Sequence, residues 1–506
     1  MIALAGLVMV LAFVRMVPVM NQTVEWTGDR ALHWRLSHTL LTENSLPGMD
    51  SLAQAPRGRN WHEFLPAGGY YLTAAWARAL DERFGADFDL SILLLMSLSG
   101  ALIGPGIYGL ARLLGGSRRE SLITAFLAGV IPVYLERTFA YSFRFEVVGI
   151  PLAVGSLYFF ASATATHHQK GVGRKLLAAW TFAALTALCW RFGAVLALWL
   201  IICSAAMWIR EMAGSGSEAV LRPFGTAVDG PPPVISRFRI GPHLGFFVLG
   251  CLLLAAKPIV ALAGQRGKNL TDLFAVLART HELQPFTSPW INVFERHFFV
   301  VGAAIWILTA LLMRNKVSRS RSADLILATG GVVFGLSLCA VRYAALAGPF
   351  VAVAGCFVWT RGRMEPSRWL RRVTVLLLVC FTAWMTVDAG WLLSTRAGEF
   401  RMSPELRDAL AAVGKESPAD AVILSGWGTG YDVQLHAGRA TFTDALLEDP
   451  QNIRRIHDAG MLLESGDEDG LWDYAQNQGI THILLSHATT RARLRNRSEI
   501  EKLRER

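Results

Sequence analysis

The sequence predicts a mainly α, polytopic membrane protein with about eleven transmembrane helices and a small C-terminal α/β domain. Three observations carry this. Hydrophobic residues make up 53% of the 506-residue chain and charged residues only 17%, with 16 Trp and 27 Phe. A water-soluble protein of that size needs more polar surface. Apolar runs of roughly 18 residues or more, long enough to cross a bilayer, recur through the first 395 residues. After residue 395 the pattern changes to short amphipathic helices and β-type runs.

The spans are expected near 2–20, 89–113, 120–137, 146–165, 175–190, 192–209, 243–263, 296–313, 323–340, 343–360 and 373–394. The first is read as a retained anchor, because no basic segment precedes it and no small-residue cleavage site follows. Basic residues fall in alternate connections: Arg118 and Arg119; Lys170, Arg174 and Lys175; Arg210, Arg222, Arg237 and Arg239; Arg314, Lys316, Arg319 and Arg321; Arg361, Arg363, Arg368, Arg371 and Arg372. This positive-inside pattern makes those loops cytoplasmic. The net charge of +10 is thereby read as a topology signal, with no nucleic-acid partner expected. The six cysteines all fall inside expected spans, without disulfide or metal spacing.

The non-cytoplasmic side then receives the long first loop (21–88) and the tail. In the loop, residues 30–43 and 67–80 suit amphipathic helices. The stretch Gly214–Pro233, rich in Gly, Ser and Pro, is expected to be a flexible cytoplasmic loop. Residues 1–395 form the transmembrane domain, and 396–506 a small non-cytoplasmic domain. That domain reads as helix 404–414, strand 421–425, strand near 440–443, helices 451–464 and 469–478, and strand 481–485. No internal repeat or low-complexity tract is found.

Acidic residues at membrane borders are costly and point to function. Asp29, Glu146 and Glu282 each lie just beyond a span on the expected outer side and can meet at one membrane face. Hard divalent cations such as Mg²⁺ or Mn²⁺ favour carboxylate oxygens, so the trio is a candidate metal site; each acid could equally be a solvated loop residue. Trp190-Arg191 is a structural hairpin or a donor contact, and Lys257 is expected to snorkel. His33, His62 and Glu63 could line the cavity, although a lone loop His is usually solvated, and His167-His168 lies on the opposite side.

Five landmarks now resemble one family, the catalytic subunits of oligosaccharyltransferases. Gly28-Asp29-Arg-Ala-Leu-His-Trp-Arg-Leu36, with Leu46-Pro47, Asp50 and Pro56-Arg-Gly58, looks like that family's first external loop. Ile131-Pro-Val-Tyr-Leu-Glu-Arg-Thr138 resembles its NPxxxxRT segment, and Thr280-His281-Glu282-Leu283-Gln284-Pro285 its SEHQP loop. Val341-Arg342-Tyr343 with Pro349 resembles the helix whose Arg contacts the lipid pyrophosphate. Gly426-Trp427-Gly428-Thr429-Gly430-Tyr431, then Gly438-Arg439 and Phe442-Thr443-Asp444, lies where the family has Trp-Trp-Asp-Tyr-Gly and GRPVFTDG. The order and sidedness of the five match the family, although the tail is short for it.

The resemblance implies a GT-C membrane glycosyltransferase that moves a glycan from a polyprenyl phosphate or pyrophosphate carrier to an acceptor on the outer face. It implies catalytic Asp29 and Glu282, metal ligands Asp29, Glu146 and Glu282, donor-phosphate contacts Arg342 and Arg144, and an acceptor contact at Trp427. The acceptor would attack with inversion. The implied cofactor is Mg²⁺ or Mn²⁺, and the implied partners are a polyprenyl-linked sugar donor, a protein or other acceptor and the bilayer, in a prokaryotic plasma membrane. The chain departs from the family at two places. Arg144-Phe145-Glu146 stands where the family has two acidic residues, so a cation replaces a metal ligand and could meet the donor phosphate instead. Gly426-Trp427-Gly428 reduces the pocket that receives Ser or Thr of the acceptor sequon, and Asp432 is the residue that could stand in. The same fold glycosylating a lipid or polysaccharide, or a non-catalytic membrane scaffold or transporter, are the alternatives.

Overall fold

The computed structural model describes residues 2–20, 22–64, 66–165, 171–190, 193, 195–196, 198–203, 293–314, 321–339, 343–364, 368–395, 401–446, 449–465, 467–486 and 490. The expected span 243–263, most of 192–209, the loop Gly214–Pro233, Lys257, His167-His168, Arg191, Glu282 and Arg342 lie outside them.

Every other expected span has a helix. The bundle consists of α1 (Ile2–Met16), α4 (Phe88–Ala101) running into α5 (Ile103–Leu113), α6 (Arg118–Val130), α7 (Glu146–Thr164), α8 (Val172–Cys189), α9 (Val293–Arg314), α10 (Arg321–Cys339), α11 (Ala344–Met364) and α12 (Arg368–Thr395). In the first loop, α2 (Asp29–Glu43) and α3 (Gly68–Phe84) form where amphipathic helices are expected. Among the described residues, 7 helices are long and apolar enough to cross a membrane, or up to 8 counting one bent pair. The chain is a multi-pass membrane protein.

That bent pair is the expected span 120–137. The helix breaks after Val130 and resumes at Pro132 with a 56° bend. Pro132 has no N–H to give, and its ring clashes with the preceding turn, so an apolar run cannot continue straight there. The far end of α6 is fixed by local chemistry. Ser117 and Glu120 form a capping box, in which the Ser117 N–H donates to Glu120 Oε2 at 2.7 Å. The same Glu120 receives Arg363 at 2.5 Å and the Trp359 indole at 3.0 Å, tying α6 to α11.

The tail forms α13 (Pro404–Glu416), β1 (Val422–Ser425), β2 (Ala440–Thr441), α14 (Pro450–Ser465), α15 (Glu468–Gln478) and β3 (His482–Leu484). The strands pair in parallel in the order β2-β1-β3, with Ile423 opposite both Thr441 and His482. The small sheet does not end at β2. Ala55 N–H donates to Thr441 O at 2.8 Å and Thr441 N–H to Leu52 O at 2.9 Å, so the first loop extends the sheet edge. Ala55 is buried in the domain's own apolar core with Val422, Leu424 and Phe442. The first loop and the C-terminal domain therefore share one face of the molecule.

Polar contacts hold that junction. Arg35 pairs with Asp50 at 2.5 Å and donates to Gln434 Oε1 at 2.8 Å, while the Trp61 indole donates to Asp50 at 2.7 Å. Arg59 pairs with Asp449, both buried. Glu25 accepts two bonds from Arg407, at 2.9 and 2.8 Å.

Candidate active site

Asp29 and Glu146, two of the three expected carboxylates, lie on either side of one guanidinium, and the folding of their elements explains how. Asp29 occupies the first turn of α2, which the chain enters through Gly28 at φ +59°, a left-handed conformation that a glycine adopts without strain. Glu146 occupies the first turn of α7. Helix N-termini carry partial positive charge, so each end is a favourable seat for a carboxylate. The two ends converge because α3 presses against the segment before α7. A Cβ on Gly69 would lie 2.4 Å from the Phe145 ring, so no larger residue fits at that crossing.

Between the acids lies Arg144. Its guanidinium is 3.5 Å from Asp29 Oδ2 and 4.0 Å from Glu146 Oε1, and Arg137, delivered by the bent segment after Pro132, is 3.8 Å from Glu146. The Asp29 side chain keeps 45% exposure and Arg144 28%, against 13% for Glu146 and 17% for Arg137. Asp29 thus opens outward and Glu146 backs the site from within. Arg30 adds a third cation. It donates to Thr27 Oγ1 at 2.8 Å and lies over the Tyr141 ring at 5.5 Å, and burial together with the neighbouring Arg144 holds its pKa below the ordinary arginine value. The described groups therefore offer three guanidiniums around two carboxylates. Such a site attracts an anionic group and retains one accessible carboxylate.

The C-terminal domain reaches the same place. Asp432 Oδ1 accepts the Gly28 N–H at 2.7 Å, and His436 Nε2 meets Trp26 O at 2.7 Å. Trp427 sits in the turn after β1, half-buried against Ile453 and Ile456 of α14. Of the expected site residues, Asp29, Arg144 and Glu146 come together, and Trp427 belongs to the domain edge that docks beside them. Glu282 and Arg342 lie outside the described residues.

Three residues beyond that set also shape the site. Arg137 lies within the Ile131–Thr138 landmark, and Pro132 in the same segment is the sign that the span bends there. His33 lies one helical turn after Asp29, and that i, i+4 spacing was the available sign. It contacts Tyr70 OH at 2.9 Å and the rings of Phe143 and Phe145. Asp432 stands in the sequence as a candidate for the acceptor pocket, but its bond to Gly28, 404 residues away, has no local sign.

The expected ion meets a different arrangement. The carboxylates of Asp29 and Glu146 already face a guanidinium, and among the described residues no group of three or more His, Cys, Asp or Glu could hold a metal. Asp29 and Glu146 by themselves, with Arg144 between them, do not fit Mg²⁺ or Mn²⁺; Glu282, the third expected ligand, lies outside the described residues.

Burial pushes the Asp432 carboxyl from 3.8 up to about 6, against the pull of the Gly28 N–H. Burial also raises Asp444 from 3.8 to about 6 and lowers His33 from 6.5 to about 4. An acid with a raised folded pKa stabilises the fold fully below its unfolded value, and that contribution is lost as pH rises through about 6. His33 acts in the opposite sense, present above 6.5 and lost as pH falls through about 4. The windows overlap, so the test is a difference. Asp432→Asn keeps an acceptor for Gly28 and removes the titration. Its melting temperature in detergent is expected to gain on the wild type from about pH 4.5 to about 7. A constant difference across that range would refute the assignment.

No protein-family model and no curated protein matches the chain. Solved structures do. The crystal structure of the Archaeoglobus fulgidus oligosaccharyltransferase tethered to an acceptor peptide containing the NVT sequon is similar at a TM-score of 0.67 and 16% identity, covering 95% of this chain and 68% of that one. The oligosaccharyltransferase AglB from the same organism, in complex with an inhibitory peptide and a dolichol-phosphate, is similar at 0.66 and 14% identity, covering 95% and 69%. This chain spans about two thirds of their length. It has the fold of these oligosaccharyltransferases.

Proposed function

We propose that this chain is a membrane glycosyltransferase that moves a glycan from a polyprenyl phosphate or pyrophosphate to an acceptor, protein among them, at the outer face of a prokaryotic plasma membrane. The observation that supports it most is Asp29, half-exposed beside a cluster of guanidiniums. The apolar faces of the spans would guide a polyprenyl chain, and the basic cluster suits its phosphate.

In this reading Asp29 accepts a hydrogen bond from the acceptor's amide or hydroxyl and makes that group a better nucleophile. Glu282, placed by the sequence in the outer loop before the eighth span, is the second carboxylate. The acceptor N or O bonds to the anomeric carbon as the carbon–oxygen bond to phosphate breaks, with inversion, and the acceptor proton passes to a carboxylate. Arg144 and Arg342 meet the charge that gathers on the departing phosphate. The C-terminal domain, outside the cytoplasm in this reading, presents Trp427 to the acceptor and holds the Asp29 turn through Asp432.

The experiment reconstitutes the full chain in liposomes with a polyprenyl-pyrophosphate-linked glycan and fluorescent peptides. Glycosylated peptide that disappears in the Asp29→Ala, Glu282→Ala double variant supports the proposal. Absence of any glycosylated product, together with unchanged surface glycans in cells carrying the double variant, would sink it.

A further inference from the structure

We infer that Arg144 is a built-in cation, supplying between Asp29 and Glu146 the positive charge that a divalent ion would otherwise bring, so that this pair of carboxylates does not recruit Mg²⁺ or Mn²⁺. The inference concerns the site of the proposed transfer, but its test needs no glycan donor. Its failure is therefore distinct from failure of the functional proposal.

The geometry is that of a bridge. One guanidinium faces both acids, through Nη2 at 3.5 Å from Asp29 and Nη1 at 4.0 Å from Glu146. A divalent ion ligated by the same oxygens would lie about 2.0–2.6 Å from them, and the guanidinium would have to leave. It would then meet Arg137, 3.8 Å from Glu146, and Arg30, close enough to Arg144 for their charges to repel. Like charges at such distances oppose entry of a dication. The acids are also weakened as ligands by position, because each occupies a helix N-terminus that already offsets part of its charge.

Chemically the exchange is sensible. A guanidinium stays protonated at any physiological pH and presents several donors in a plane, so its charge does not depend on the supply of free metal. It can hold two carboxylates apart and in place, as an ion does. It cannot act as a strong Lewis acid, so the carboxylates keep their own basicity toward an acceptor proton.

The probe is Mn²⁺, read by the loss of its free six-line electron paramagnetic resonance signal on titration into the purified full chain in detergent. Wild type is expected to bind no more tightly than about 1 mM. Arg144→Asp, which puts a third carboxylate between the two, is expected to bind at least about tenfold tighter, and Arg144→Gln to fall between them. Adding Asp29→Asn to Arg144→Asp should return the affinity to the wild-type value. Micromolar Mn²⁺ binding by wild type that Asp29→Asn abolishes would overturn the inference. So would well-folded Arg144→Asp and Arg144→Gln proteins that gain no affinity. Should Arg144→Asp fail to fold, Arg144→Gln against wild type decides the order.

Discussion

Asp29→Asn is expected to cut glycan transfer by about a hundredfold or more while leaving the protein folded. The size follows from the role. A positioned carboxylate acting on a reacting proton contributes roughly 10²–10⁴-fold. The amide keeps the shape of the side chain and loses its charge. Asp29 is half-exposed and its contact with Arg144 is a loose one at 3.5 Å, so the cost in stability is expected to be small. The loss should fall on turnover, with the apparent affinity for the donor changed little, because the basic cluster that meets the phosphate remains. Melting temperature and turnover, measured on the same preparation, separate the two explanations. A variant that transfers normally would remove Asp29 from the chemistry. One that loses activity only in proportion to lost fold would make it a structural residue.

Most of the architecture was legible because the bilayer leaves few options. An apolar run of sufficient length must be a helix, since nothing else satisfies its backbone in hydrocarbon. That is why α7, α9, α11 and α12 lie within a few residues of their expected bounds. The tail's elements were readable for a similar reason, each being a short run whose periodicity changes at a turn. The bounds of the 120–137 span say nothing of its bend, although Pro132 removes a hydrogen bond that would keep it straight. The junction between the first loop and the tail was not legible at all. Ala55 has no special chemistry, and its place in the core of the small domain depends on a pairing with Thr441 that no local pattern encodes. The acids of the site were identified by their position at span ends. Their relation to Arg144 depends on two helix N-termini meeting, which is a property of the packing.

Arg15→Met is expected to lower both stability and turnover, the second more than a loss of folded protein explains. Arg15 lies inside the first span and is fully buried, an expensive place for a charge. Its three nitrogens account for the expense. Nη1 donates to Leu11 O at 2.8 Å, Nη2 to Gly129 O at 2.8 Å and Nε to Thr138 Oγ1 at 3.0 Å, with the Tyr134 ring beneath. Gly129 sits just before the break at Pro132, where a straight helix would have given its carbonyl a partner one turn on. Arg15 takes that carbonyl and holds Thr138, and its own backbone carbonyl accepts the Ala140 N–H at 3.2 Å. Both ends of the bent segment are thus tied to α1, and that segment carries Arg137 and leads to Arg144. Methionine keeps a flexible stem and leaves the Gly129 carbonyl without a donor, at a cost of about 1–3 kcal/mol for one buried acceptor. A shift of about 1 Å in the segment would move Arg137 and Arg144 relative to Glu146 and Asp29, and misplacement on that scale can cost roughly a hundredfold in rate. Turnover is therefore expected to fall about ten- to a hundredfold, with Arg15→Lys recovering part of it through its single nitrogen, which cannot span all three acceptors. Unchanged turnover in a well-folded Arg15→Met protein would show that the bend holds its angle unaided and that the buried charge serves some other end.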